Sequence, residues 1–482
     1  MLIKRVGTAM ALLALVGGCG GGGGGGGGGT TPAPPIGGTP PPPPPPSTAG
    51  CSLKERQDWA AARLKEWYLF PETLPANLST AGYSSVDAYI DAMTATARAQ
   101  SKDRYFTYLT SIKEEDAYYA SGSTAGFGIR LSYDTVQGRL FVEEAFEGAP
   151  GLAAGIDRGT EILAIGTSAS NLLTVSSLMA SGGPNAVQTA LGPNNPGVTR
   201  VLRIQDAAGV RTVTVAKADY DLQPVSSRYG VKILTDGGRK IGYVNLRTFI
   251  TTAEPQLQSA FAKFRSEGVT EVIIDFRYNG GGLVRTAELI GDLLGANRSP
   301  AEVFSFTRFR ESKSFYNETR NFSPQPQSIA PTKIAFIGTG GSASASELVI
   351  NAFIPYLGKN LALVGGNTYG KPVGQIGLDK AECDDRLRVV AFATQNKAGQ
   401  GDYYTGLASK VEVTCQAPDD ISKPLGDPAE ASTARALDFL AGRSCTPISA
   451  GGGITTQSVK VNRELLMPER PNTAQREVPG LF

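Results

Sequence analysis

The chain has 482 residues, 41% of them apolar and 8% aromatic, enough for two or three packed domains at roughly 100–200 residues each. Its 46 Lys and Arg against 44 Asp and Glu leave a net charge of +2, which argues against nucleic acid or an anionic membrane surface as the main partner. There is no histidine, so a Ser-His-Asp triad, a Cys-His pair and histidine-ligated zinc are excluded; acid–base chemistry near neutral pH must fall to Lys, Asp, Glu, Tyr or Cys with a shifted pKa.

Residues 1–18 read as an export signal: Lys4 and Arg5, then the apolar run Met10 to Val16, too short to cross a bilayer that needs ~20 apolar residues. Val16-Gly17-Gly18-Cys19 resembles the lipobox of bacterial lipoproteins, which implies lipidation of Cys19; an ordinary cleaved signal with a spare thiol is the alternative. Residues 19–51 then read as a tether, with flexible Gly20–Gly29 followed by stiff Pro40–Pro46. The remaining four cysteines, Cys51, Cys383, Cys415 and Cys445, allow three pairings in an oxidising compartment. Cys383–Cys415 is favoured because the segment between them reads as a self-contained excursion, leaving Cys51–Cys445 to tie the ends of the folded body.

Residues 52–122 read as a helical N-terminal block. Trp59, Leu64, Trp67 and Tyr68, then Val86, Tyr89, Ile90 and Met93, fall at helical spacing on either side of a Pro71/Pro75 break. No chemistry is visible there, and a packing role is expected. From 123 to 220 the texture turns to short strands: an alternating run from Gly126-Phe127-Gly128-Ile129, then Leu140–Val142, Val201–Ile204 and Thr212–Val215. This block resembles a PDZ domain. The resemblance assigns Gly126, Phe127, Gly128 and Ile129 to a loop that holds a peptide's terminal carboxylate while the peptide adds a strand. Thr160-Glu161 and the residue before Gly166 depart from the usual pattern, and a structural β-domain without a ligand is the alternative.

Residues 221–445 alternate strands and helices, the signature of an α/β core, and 446–482 form a C-terminal tail. The chemistry sits in three glycine-rich turns. Ser344 is expected at a helix N-terminus after the strand Lys333–Gly338, where the Ala345 amide can face an oxyanion; Ser344-x-x-Glu347 is equally a capping box. Asp275-Phe276-Arg277-Tyr278-Asn279-Gly280-Gly281-Gly282 ends another strand and can offer a second amide. Lys371, with mostly apolar neighbours and no acid within seven residues, is a lysine whose pKa burial can lower, and Gln375 can orient the neutral amine.

In order and approximate spacing, Arg-x-Asn-x-Gly-Gly, Ser-Ala-Ser-Ala-Ser-Glu and Gly-Lys-x-x-x-Gln resemble the carboxyl-terminal processing (tail-specific) serine peptidases, over about residues 55–440. The resemblance implies a multidomain α/β (α+β) protein: helical block, PDZ-like domain and serine-peptidase core of the ββα-repeat type. It makes Ser344 the nucleophile, Lys371 the general base, Gln375 its orienting partner, and Gly281 and Ala345 the oxyanion-hole amides. Gly280 in place of a common proline, and Pro372 in place of glycine after the lysine, depart from the family pattern. No metal or organic cofactor is required. The partners implied are proteins or peptides with apolar C-termini, the membrane is reached only through the lipid, and a homo-oligomer is compatible. The place implied is the bacterial envelope facing the periplasm, with Gly20 after the cysteine favouring the outer membrane. The alternative is an inactive, envelope-tethered PDZ scaffold. The chain's own apolar terminus, Val478-Pro479-Gly480-Leu481-Phe482, is itself suited to a PDZ groove of its own or a neighbouring chain.

Overall fold

Hydrophobic alternation along the strands of the core sends successive residues to opposite faces of one six-stranded sheet. In the computed structural model, which describes residues 49–134, 136–449 and 463–482, its order is Val231–Asp236, Arg239–Asn245, Glu271–Asp275, Lys333–Gly338, Leu361–Gly365 and Val413–Gln416. The first pair is antiparallel and the rest are parallel. Val272 and Ile274 pack against helices Ala253–Ser266, Val284–Leu293 and Ala345–Leu357, while Ile273 packs on the other face with helix Ala431–Leu440. Parallel strands feeding helices bring the turns after Asp275, Gly338 and Gly365 to one end of the sheet, where α/β proteins build their sites.

An antiparallel sheet of Tyr108–Ser111, Val373–Lys380, Asp385–Gln395, Val303–Phe309 and Glu318–Asn321 lies beside it. The N-terminal block is therefore not wholly helical. After helices Leu53–Trp67 and Val86–Met93 it contributes the strand Tyr108–Ser111 to this sheet, and Leu64, Tyr68 and Ile90 bury against Leu387 and Val389. Residues 123–220 form a further sheet of Ile129–Asp134, Leu140–Ala145, Glu161–Gly166, Thr199–Asp206 and Gly209–Ala216. A helix over Val175–Leu191, absent from the sequence expectation, closes its core through Val175, Leu178, Val187 and Leu191.

The expected disulfide pairing is corrected. The disulfides are Cys51–Cys383 and Cys415–Cys445, not Cys383–Cys415 and Cys51–Cys445. Cys383 lies at the turn between the antiparallel strands Val373–Lys380 and Asp385–Gln395, whereas Cys415 lies on the last strand of the parallel sheet, so the two belong to different layers. The C-terminal tail is part of the fold. Arg463–Leu465 pairs antiparallel with Ser132–Asp134, and residues 480–482 return along the same strand: Leu131 N donates to Gly480 O at 2.8 Å and Phe482 N to Ile129 O at 2.9 Å. The signal segment, Cys19 and the Gly/Pro tether lie outside the described residues.

Candidate active site

Three consecutive turns build the site, and each is shaped by a polar side chain that its motif carries. Arg277 is fully buried and pairs with Asp275 at 2.7 Å and Glu430 at 2.8 Å, anchoring the turn after its strand. Asn279 folds that turn back: its Nδ2 donates to Leu246 O at 2.8 Å, and its Oδ1 accepts the Gly281 amide at 3.0 Å. Gly281 has φ +124°, and a Cβ there would stand 2.8 Å from Ser344 Cβ and 3.2 Å from Ala345 N, so only glycine lets the two turns meet.

Of the three serines in the next turn, Ser342 donates its hydroxyl to Phe276 O at 2.6 Å and Ser346 donates to Asn279 O at 3.0 Å. These two lock the turns together. Ser344 stands between them, half-buried, as the N-cap of helix Ala345–Leu357, with φ +54° and ψ −112°. A non-glycine residue held there stores strain of order 1–3 kcal/mol, and such strain clusters at active sites, including the sharp strand–turn–helix bends that carry nucleophilic serines.

Glu347 completes more than a cap. Fully buried, its carboxylate accepts the Ser344 amide at 3.1 Å, the Gly370 amide at 2.7 Å and the Lys371 amide at 2.7 Å. One side chain thus braces the backbone of the expected nucleophile against that of the expected base. Burial pushes its carboxyl pKa up, while the Thr368 hydroxyl and the three amides act in the opposite sense.

Lys371 Nζ donates to Gln375 Oε1 at 2.8 Å, and Gln375 Nε2 in turn donates to Phe106 O, which fixes which end of the amide faces the lysine. The Phe106 ring lies 5.1 Å from Nζ. Burial lowers the lysine pKa from its ordinary value. Among the charges around it, Glu477 and Asp103 oppose that shift and Arg476 and Arg388 add to it. Pro372 does no harm to this geometry, because the Lys371 amide is held by Glu347 and the Pro372 carbonyl accepts the Thr394 amide at 2.9 Å.

The structure thus brings Ser344, Ala345, Gly281, Lys371 and Gln375 to one end of the core sheet. Sequence reasoning missed contributors from three places in the chain. Glu347 was visible only as a cap. Arg104, which donates to Tyr369 O and Gly370 O at 2.7 Å, and Phe106 came from a block with no visible chemistry. The third is the tail: the Gly280 amide donates to Glu477 O at 2.9 Å, and Tyr119 Oη donates to Glu477 Oε1 at 2.9 Å. Gly126–Ile129 lies apart, in the β-domain, and meets the chain terminus: Ile129 N donates to Phe482 O at 3.2 Å, and a Cβ on Gly126 would stand 2.8 Å from the Phe482 carbonyl carbon.

Residues 240–410 match peptidase family S41. The chain is 27% identical over 323 residues to carboxyl-terminal-processing peptidase 3, chloroplastic, of Arabidopsis thaliana, covering 65% of this chain and 56% of that protein. It is 27% identical over 252 residues to a carboxyl-terminal-processing protease of Picosynechococcus, covering 52% and 55%. The chain therefore spans about half the length of these curated relatives. The fold is similar to that of a crystal structure described as a candidate S41 protease from Bacteroides fragilis, with a TM-score of 0.63 at 21% identity, covering 80% of this chain and 97% of that one.

Proposed function

Because the chain belongs to the carboxyl-terminal processing serine peptidases of family S41, we propose that it hydrolyses peptide bonds through a Ser344–Lys371 centre. Ser344 Oγ attacks the carbonyl carbon as neutral Lys371 takes the hydroxyl proton. The tetrahedral oxyanion is met by the Ala345 amide at the helix N-terminus and by the Gly281 amide, which must first turn away from Asn279 Oδ1, its acceptor in this structure. The lysine ammonium then protonates the leaving amine, and water, deprotonated by the same lysine, releases the acyl group. The observation that carries this reading is the single Glu347 carboxylate holding the Ser344 and Lys371 amides together, with Lys371 Nζ on Gln375 and its pKa lowered by burial.

In this reading, residues 123–220 are a PDZ domain that selects apolar C-termini through Gly126–Ile129 and the edge of strand Ile129–Asp134. Cys19 carries the lipid, and the tether holds the enzyme in the bacterial envelope facing the periplasm. The test is cleavage of an unfolded peptide with an apolar C-terminus. Wild type should cleave it with or without chelator, and Ser344→Ala and Lys371→Ala should each abolish cleavage while remaining folded. Full activity in Ser344→Ala would end the proposal.

A further inference from the structure

A strand edge offered for β-addition is a liability unless something covers it, and here the cover is the chain itself. Arg463–Leu465 takes the far half of strand Ile129–Asp134 and residues 480–482 take the near half. Phe482 is buried in the β-domain core with Phe127, Ile129 and Leu202, and Leu481 is buried with Tyr118, Phe146, Tyr220 and Ile250. The terminal residue thus lies where Gly126–Ile129 would hold a substrate's end. Between these two pairings the tail crosses the candidate active site. Helix Thr473–Glu477 places a backbone carbonyl on the Gly280 amide, next to the turn that faces Ser344, and buries the Glu477 side chain against Tyr119. A Cβ on Gly280 would stand 2.2 Å from Arg476 O, so the tail backbone lies directly on the glycine turn. Arg476 Nη1 donates to Tyr105 O at 3.0 Å, which pins the same segment to the N-terminal block.

We propose that residues 463–482 are an internal ligand that holds the enzyme in a resting state, with the terminus filling the peptide groove and Arg476–Glu477 lying over the catalytic turn, until a peptide ending in a bulky apolar residue with a free carboxylate displaces it. This rests on the peptidase reading above, and it adds the chemistry that opens the site: the incoming end must reproduce Leu481-Phe482. A tethered ligand competes at an effective concentration on the order of millimolar, so apparent affinity for an outside peptide falls by the fraction of time the groove is filled.

The test uses the full chain in two backgrounds. A labelled peptide ending Val-Pro-Gly-Leu-Phe with a free carboxylate is titrated by anisotropy onto Ser344→Ala and onto the same chain carrying Phe482→Asp or Gly480→Ala. The alanine at 480, where φ is +85° and a Cβ would stand 2.9 Å from Leu131 O, dislodges the terminus without removing an apolar side chain. Affinity should rise about tenfold or more in both variants, and the amidated peptide should bind neither. In the background with Ser344 intact, the same substitutions should raise the basal cleavage of a short amide-ended peptide, and the free-acid peptide added in trans should raise it in the native chain. Unchanged affinity and unchanged basal rate in folded Phe482→Asp and Gly480→Ala chains would overturn the proposal. If affinity rises but no chain cleaves, the tail is confirmed as groove ligand and the peptidase reading fails instead.

Discussion

In the proposed mechanism Lys371 has to lose its proton to act as the base, and a free lysine does so only near its ordinary value of 10.5. Burial stabilises the neutral amine relative to the ammonium, Arg388 and Arg476 add to that, and Glu477 and Asp103 act in the opposite sense; the net shift is downward. The base form therefore accumulates as pH rises through a pKa below 10.5. The rate of peptide cleavage should climb along a single ascending limb with a midpoint below that value. A limb centred on the ordinary lysine value would remove Lys371 from the role. Glu347 tests how that base is aimed. Glu347→Gln keeps the shape but turns an NH2 toward one of three backbone donors. The expected result is a fall in kcat of about a hundredfold with KM nearly unchanged, because small misplacements of reacting groups are that costly. The midpoint of the pH profile should move as well. A loss of thermal stability with kcat and the midpoint intact would mean that Glu347 only caps its helix.

At the level of elements, two of the three turns are written into a local motif of strand, glycine-rich turn and helix, and the third joins strand Leu361–Gly365 to strand Val373–Lys380. No single motif marks Ser344, Lys371 or Gln375; their expected roles come from the resemblance carried by the three motifs in order. What was hidden depends on contacts between segments far apart in the chain. Phe106 orients Gln375 from 269 positions away, and Arg104 holds the carbonyl of Gly370 from 266 positions away. No period or spacing in either segment encodes such a meeting. The Cys51–Cys383 bond was hidden for the same reason, its cysteines lying 332 positions apart. Cys383 and Cys415 are near neighbours in sequence but belong to different sheets, and Cys51 reaches Cys383 because helix Leu53–Trp67 packs on the strands that flank it. Proteolysis of the unreduced protein followed by mass spectrometry should recover the Cys51–Cys383 and Cys415–Cys445 peptides. Recovery of a Cys383–Cys415 peptide would contradict this fold. The helix Val175–Leu191 escaped notice because Gly182, Gly183 and Pro184 interrupt it; the first two carry non-helical backbone angles.

Across the whole molecule, buried ion pairs decide how firmly the β-domain sits on the core. Glu144 of the β-domain is enclosed between its neighbour Arg130 and Arg247 of the core, whose Nε donates to it at 2.7 Å, and Arg247 also reaches Glu147 at 2.7 Å. A second cluster joins Arg158 and Glu143 to Tyr278 and Asp419 and includes Arg463 of the tail. Charges this deep cost desolvation that their mutual attraction only partly returns, so the clusters are weak evidence for stability. They are better read as a lock that accepts one docking geometry. Glu144→Ala tests the lock, because it leaves the buried Arg130 guanidinium without its carboxylate and Arg247 with Glu147 alone. It should cost about 3–5 kcal/mol in denaturant unfolding, whereas Glu161→Ala, which loses only the half-exposed pair with Arg139, should cost less than about 1 kcal/mol. Equal costs for the two substitutions would mean that water reaches Glu144 and that the β-domain is free to move on the core.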